Sequence, residues 1–172
     1  NNLKALCEAK PKEKAPEIIV EVKEFPGVKY IGIKHTVTDM MTIGTIMEQD
    51  FQVLTAFMGV NKIEMAGPPF TRYLQWSETG GDTIIFEVCA PVKDEVKGDD
   101  HVYFGEIMPC KVAATMHFGK YEEVGSAYYA IEDYIKANAL EMSGAPWESY
   151  LTDPHSEADT SKWMTEVYYP VK

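Results

Sequence analysis

The chain has 172 residues, of which 45% are hydrophobic and 25% are charged, and its formal net charge is −11. The length and composition suit one globular domain. The negative charge argues against nucleic-acid binding, which needs a basic face. No apolar run approaches the roughly 18 residues of a membrane helix. Three widely spaced cysteines (Cys7, Cys89 and Cys110), without a CxxC pair or a His/Cys cluster, predict no metal site, no cofactor and the free thiols of a cytoplasmic protein.

Residues 1–16 are predicted to be a leader or linker, because they end in the lysine-rich segment Pro11–Pro16, which is bounded by prolines. A frayed terminus is the equal alternative. The leader is too short to hold a helix-turn-helix, so direct DNA binding by this chain is not expected. The tail of an upstream domain, or a separate regulator as partner, stays an open alternative.

From Glu17 onward the pattern predicts two strands separated by the turn Pro26-Gly27, and then a helix capped by Thr38-Asp39. Apolar residues at three- and four-residue spacing run through that helix as far as Met58. Two more strands are predicted beyond it, separated by residues 79–82. The four predicted strands of this half are Ile18–Val22, Val28–Ile33, Phe70–Gln75 and Thr83–Val88.

The second half repeats this order of elements, with a strand at Cys110–Met116, a helix at Glu122–Ala139 and strands at Pro146–Leu151 and Met164–Tyr169. Residue identities repeat as well. The segment Glu64–Leu74 aligns with Glu141–Leu151, and Glu87–Lys93 aligns with Glu166–Lys172. Matches in two separate segments indicate an internal duplication.

The duplication predicts an α+β fold of two βαββ units, about residues 17–95 and 102–172, related by a pseudo-two-fold axis. Each unit carries its helix on one face of a short antiparallel sheet and leaves the other face bare. The two units are therefore expected to keep their helices outside and to enclose a central cavity for a small molecule.

Strand alternation predicts which side chains face that cavity. Glu148 with Tyr150, and Glu166 with Tyr168, are expected to point inward, while the apolar sets Trp147/Leu151 and Val167/Tyr169 are expected to pack beneath the helix. The first copy is expected to supply Thr71 and Tyr73 opposite the first pair and Glu87 opposite the second. Tyr128, on the second helix, adds a further ring.

Glu148 is the leading candidate because the duplication does not explain it: its repeat position holds Thr71, whereas Glu166 is matched by Glu87. The matched glutamates have a structural role as their equal alternative. A carboxylate among tyrosines is costly to bury unless it is hydrogen-bonded or paired with a cation. Tyrosine rings suit flat, apolar or cationic ligands.

Two segments carry a resemblance to a known family: Pro146-Trp-Glu-Ser-Tyr-Leu-Thr-Asp-Pro154 and Trp163-Met-Thr-Glu-Val-Tyr-Tyr-Pro-Val171. They resemble the bacterial GyrI-like family, the effector-binding domain found behind the DNA-binding parts of AraC- and MerR-type multidrug regulators. The resemblance implies a SOUL-like duplicated fold and a pocket for bulky, hydrophobic, often cationic compounds. It also implies a central glutamate that neutralises the cation, at Glu148 or, second, at Glu166.

Binding of amphipathic cations for sensing or sequestration is thus the first hypothesis. The second, also implied by the resemblance, is an enzyme that hydrolyses electrophilic cyclopropane-type genotoxins, with Glu148 as acid or base and Tyr150 or Tyr168 assisting. A third hypothesis is haem or tetrapyrrole binding, for which four histidines are available: His35, His101, His117 and His155.

Overall fold

The structure, a computed structural model, describes residues 17–77 and 82–172, so the predicted leader and most of the predicted turn at 79–82 lie outside the described residues. Within these residues the strands and helices predicted from the sequence are present, together with one strand that was not predicted. In chain order these are β1 (Glu21–Phe25), β2 (Val28–Val37), α1 (Ile43–Asn61), β3 (Phe70–Gln75), β4 (Ile84–Val92), β5 (Tyr103–Ile107), β6 (Cys110–Phe118), α2 (Gly125–Ala137), β7 (Trp147–Tyr150) and β8 (Met164–Pro170).

The described strands form one antiparallel sheet in the order β1-β6-β8-β7-β3-β4-β2-β5. Exchanging each strand of the first copy (β1–β4) with its counterpart in the second (β5–β8) gives the same order read from the opposite edge of the sheet. This symmetry confirms the duplicated α+β fold with its pseudo-two-fold axis. Each copy begins with a strand that pairs with the other copy, β1 with β6 and β5 with β2. The two units are therefore joined edge to edge and interlocked by their first strands.

Two short connections force this sheet to curl into a half-barrel. The turn Pro26-Gly27 joins β1 to β2, and Met108-Pro109 joins β5 to β6, although the joined strands lie near opposite ends of the sheet. Gly27 has a φ of 85°, and a Cβ there would lie 2.8 Å from the carbonyl oxygen of Ile107. Only glycine accommodates both that conformation and that close approach.

Both helices pack on the outer face of the curl, as predicted: α1 covers β4 and β2, and α2 covers β6 and β8. Asp39 caps a short 3-10 turn, Met40–Thr42, that leads into α1, and His35 Nε2 contacts Asp50 Oδ2 of α1 at 2.5 Å. The inner face carries its own aromatic core. No helix in residues 17–77 or 82–172 is long and apolar enough to cross a membrane.

The register of β7 with β8 corrects the predicted faces. Trp147 pairs with Tyr168 and Glu148 pairs with Val167, and paired residues share a face of the sheet. The two Glu-x-Tyr pairs therefore point to opposite faces, because the strands pair one residue out of the expected phase. Glu148 and Tyr150 lie on the outer, helix-bearing face, whereas Glu166 and Tyr168 lie on the inner face.

The prediction that Trp147 and Leu151 pack beneath the helix is wrong for the same reason. Trp147 lies inside the curl, with ring centroids 4.9 Å from Phe25 and 5.0 Å from Tyr168, and Leu151 is 38% exposed. Val167 and Tyr169 do pack with α2 as predicted.

Candidate functional site

A cavity of about 580 Å³ opens on the outer face, between α2, the end of β3 and the segment that leads into β7. Its size falls within the usual range for small-molecule sites. The cavity was expected between the bare sheet faces of the two units. In the structure those faces form the inside of the curl, and side chains fill it. The lining residues that matter below are Tyr73, Trp76, Tyr128, Glu132, Glu148 and Tyr169.

Glu148 is the centre of a hydrogen-bond cluster at this cavity and is only 5% exposed. Its Oε1 accepts from the Tyr150 hydroxyl at 2.6 Å and from the Tyr73 hydroxyl at 3.2 Å. Its Oε2 accepts from the Tyr128 hydroxyl at 2.8 Å. The three donors come from β7, β3 and α2, so strand alternation, strand pairing and the helix packed above the sheet all converge on one carboxylate.

The carboxylate has neutral hydrogen-bond donors and no cation beside it. No lysine or arginine nitrogen among the described residues lies within 4.0 Å of Glu148. Burial raises the pKa of Glu148 above its ordinary value, although the hydroxyls of Tyr150, Tyr128 and Tyr73 act to lower it. An ionised Glu148 therefore places a negative charge without a contacting cation at the wall of the cavity.

The three tyrosines remain donors over the whole physiological range. Burial, and then the adjacent Glu148 charge, raises the pKa of Tyr73, Tyr128 and Tyr150 well above the ordinary tyrosine value. Their hydroxyls thus stay protonated and directed at the carboxylate. Behind them, the Tyr150 ring packs between Phe51 of α1 and Tyr121, at centroid distances of 6.0 and 5.3 Å.

Aromatic rings form much of the remaining wall. The Tyr73 and Trp76 rings meet edge to face at 5.3 Å, and Tyr128 meets Tyr169 at 5.8 Å. Trp76 is 48% exposed, so part of its ring is open to the cavity or to solvent. Such walls bind flat apolar or cationic groups by stacking and cation–π contact.

The structure brings together four of the predicted site residues, namely Glu148, Tyr150, Tyr73 and Tyr128. Thr71 is fully buried and lies directly across from Glu148 in the neighbouring strand. Neither Thr71 nor Tyr150 lines the cavity. Tyr150 supports the carboxylate from behind and is placed to orient it rather than to touch a ligand, whereas the buried Thr71 hydroxyl makes no hydrogen bond within the described part of the chain.

The other predicted residues, Glu87, Glu166 and Tyr168, lie on the inner face, away from the cavity. Glu87 accepts from the Tyr30 hydroxyl at 2.8 Å and pairs with Arg72 at 3.4 Å. Glu166 accepts from the Tyr168 hydroxyl at 2.5 Å and pairs with Lys23. Both matched glutamates are neutralised by a cation of their own, which fits the structural alternative for them.

Sequence reasoning missed Glu132, which lines the cavity and accepts from the Tyr169 hydroxyl at 2.9 Å. A signal for it existed, because Tyr128 and Glu132 are four residues apart and so share a face of α2. The two strand histidines have ring partners: His35 contacts Asp50, and His117 Nε2 bonds the carbonyl oxygen of Lys120 at 2.9 Å. Over residues 17–77 and 82–172, no cluster of three His, Cys, Asp or Glu could hold a metal ion.

Comparisons with known proteins agree on family and fold. The sequence profile of the GyrI-like small molecule binding domain matches residues 19–172. The solved C-terminal domain of EcmrR matches with a TM-score of 0.80 and 21% identity, over 90% of this chain and 98% of that one. In the EcmrR–DNA complex, the match covers 57% of the EcmrR chain.

Two more distant structures have the same fold. A hydrolase encoded by lin2189 from Listeria innocua matches with a TM-score of 0.64 and 14% identity, over 92% of this chain and 94% of that one. SAV2435 bound to tetraphenylphosphonium matches with a TM-score of 0.59 and 14% identity, over 90% and 94% of the two chains. A search among curated proteins gave no match.

Proposed function

We propose, on the premise that this chain belongs to the family of GyrI-like small molecule binding domains, that its cavity binds bulky or flat hydrophobic cations. The observation that carries the proposal is Glu148, a buried carboxylate held by three neutral hydroxyls and by no cation. A cation in the cavity supplies the missing charge. Because the surroundings are apolar, that attraction is stronger than it would be in water.

The rest of the molecule supports this ligand class. The aromatic wall of Tyr73, Trp76, Tyr128 and Tyr169 offers stacking surface beside the carboxylate, and the net charge of −11 attracts cations to the protein. Tetraphenylphosphonium, which is bound to SAV2435, is itself a bulky hydrophobic cation.

The physiological role that we propose is sensing or sequestration of such compounds in the bacterial cytoplasm. EcmrR is bound to DNA in a structure in which this chain matches only a part of it, so a module of this fold can be carried by a longer chain. In that arrangement, ligand binding at Glu148 would be reported to an upstream domain or to a separate regulator. The net charge of −11 argues against DNA binding by this chain itself.

Matched ligands test the proposal. N-methyl-4-phenylpyridinium is a cation, and 4-phenylpyridine is uncharged at neutral pH and has almost the same shape. We expect the cation to bind at least about tenfold more tightly, a difference of about 1.4 kcal/mol, as measured by isothermal titration calorimetry. Equal affinity for the two ligands, or no binding of either, would contradict the proposal.

The affinity for the cation is expected to depend on pH. Since burial raises the pKa of Glu148, the carboxyl group is protonated at a higher pH than an ordinary glutamate. Cation binding needs the ionised form, so affinity should fall as the pH drops through this raised pKa and level off above it. The charge of His117 also acts on Glu148; comparison with Glu148→Gln, which should show a much flatter profile, isolates the carboxylate.

The raised pKa of Glu148 also favours a second candidate, hydrolysis of an electrophilic, cyclopropane-type compound with Glu148 as general acid. Both carboxylate oxygens already accept tyrosine hydroxyls in this structure, which supports binding better than proton transfer to a substrate. Product analysis separates the two functions. Conversion of such a compound that disappears in Glu148→Gln would establish hydrolysis, and its return unchanged would exclude it.

A further inference from the structure

A second carboxylate lies at the same cavity wall as Glu148. Glu132 follows Tyr128 by one turn of α2, about 5.4 Å along the helix axis. Tyr128 donates its hydroxyl to Glu148, and Tyr169 donates its hydroxyl to Glu132. The rings of these two tyrosines touch edge to face, so a continuous aromatic wall connects one carboxylate to the other.

Neither carboxylate has a cationic partner. Within the part of the chain that the structure describes, no lysine or arginine nitrogen comes within 4.0 Å of Glu132 or Glu148. Lys136, one turn beyond Glu132, is exposed and does not reach it. The inner-face glutamates are different, because Glu87 pairs with Arg72 and Glu166 pairs with Lys23.

We propose that Glu132 is a second cation-binding residue and that the cavity prefers compounds with two positive charges over monocations of the same shape. This inference rests on the proposed function of the cavity. One charge of such a ligand lies at Glu148 and the other at Glu132. Its aromatic body lies against the rings of Tyr128 and Tyr169.

A series of three ligands with one shape tests this preference. Methyl viologen carries two positive charges, N-methyl-4-phenylpyridinium carries one, and 4-phenylpyridine carries none at neutral pH. By calorimetry, we expect the dication to bind the wild-type protein about tenfold more tightly than the monocation. Glu132→Gln, which keeps an acceptor for Tyr169, should remove most of that advantage by weakening the dication far more than the monocation.

Asp133→Asn is the matched control, because it removes one charge from the same helix at an exposed position outside the cavity lining. It should leave the preference for the dication intact. The inference is overturned if the dication has no advantage in the wild type, if Glu132→Gln weakens both cations equally, or if Asp133→Asn acts like Glu132→Gln. In each of these cases, the proposed function still holds if a monocation binds through Glu148. If no cation binds, the proposed function and this inference are both wrong.

Discussion

Replacing Glu148 with glutamine should weaken binding of N-methyl-4-phenylpyridinium by about 100-fold, which corresponds to about 2.7 kcal/mol. The same variant should change the affinity for 4-phenylpyridine by no more than about threefold. The physical reason is that Glu148 offers a buried negative charge held by neutral donors. Glutamine keeps the size and one acceptor oxygen but removes that charge. Calorimetry with both ligands measures the difference.

The same replacement, which weakens cation binding, should raise the free energy of unfolding of the ligand-free protein at neutral pH. Because burial raises the pKa of Glu148, the folded state binds a proton more readily than the unfolded state. The stability that this provides is present at acidic pH and is lost as the pH rises through the raised pKa. Glu148→Gln should therefore be more stable than the wild type at neutral pH, and the gain should shrink at acidic pH.

Glu87→Gln is the control for that variant. Glu87 is buried on the inner face and paired with Arg72, so its loss leaves an arginine without its carboxylate. This variant should lose stability at neutral pH and retain cation affinity. If Glu148→Gln instead destabilised the protein and kept its affinity for the cation, Glu148 would have a structural role and the cavity would bind by shape alone.

The largest effect on stability is expected for Trp147→Ala, at about 3–5 kcal/mol of unfolding free energy. Trp147 is 1% exposed and stacks on Tyr168 within the curl. It also contacts Phe25 of β1, which belongs to the other copy. Removing the indole leaves a void where the two copies are held together. Urea unfolding followed by far-UV circular dichroism measures the loss without relying on tryptophan fluorescence.

Leu151→Ala is the matched comparison, because both residues were predicted to pack beneath a helix from strand alternation. Leu151 is 38% exposed, so its truncation should cost about 1 kcal/mol or less. A similar loss for the two variants would show that the inner face around Trp147 is not the core that the structure describes.

Much of the fold could be predicted because duplication leaves two independent copies of the same signals. The paired segments Glu64–Leu74 and Glu141–Leu151 predicted the repeat, and the palindromic strand order confirms it. Strand β5 was not predicted, and it contains Gly105, a residue type that weakens a strand pattern. The reason for glycine here is a tertiary contact: a Cβ would lie 2.6 Å from the Tyr30 ring.

The faces of the strands could not be predicted from alternation. Alternation assigns Glu148 and Tyr150 to one face of their own strand, but it does not give the phase of that strand against its neighbour. The pairing of Glu148 with Val167 rather than with Glu166 depends on how β7 and β8 meet. Glu87, Glu166 and Tyr168 lie on the inner face to which they were assigned, whereas Glu148 and the cavity lie on the outer face.

The central residue of the candidate site, Glu148, could nevertheless be identified from the sequence. Glu148 stood out because its repeat position holds Thr71, and in the structure it is the carboxylate on which three tyrosines converge. Glu132 shares a helix face with Tyr128, four residues before it, but this spacing alone does not show that Glu132 lines a cavity. The structure shows this, and it shows that the Tyr169 hydroxyl donates to Glu132 at the cavity wall.

The most direct test of the account is the number of protons released when a cation binds. N-methyl-4-phenylpyridinium should be titrated into the protein in buffers of different ionisation enthalpy, at a pH where Glu148 is partly protonated. Binding should release up to about one proton per ligand, fewer at higher pH, and almost none in Glu148→Gln. Tight binding with no proton release at any pH, or with the same release in Glu148→Gln, would contradict the claim that Glu148 pairs with the ligand's charge.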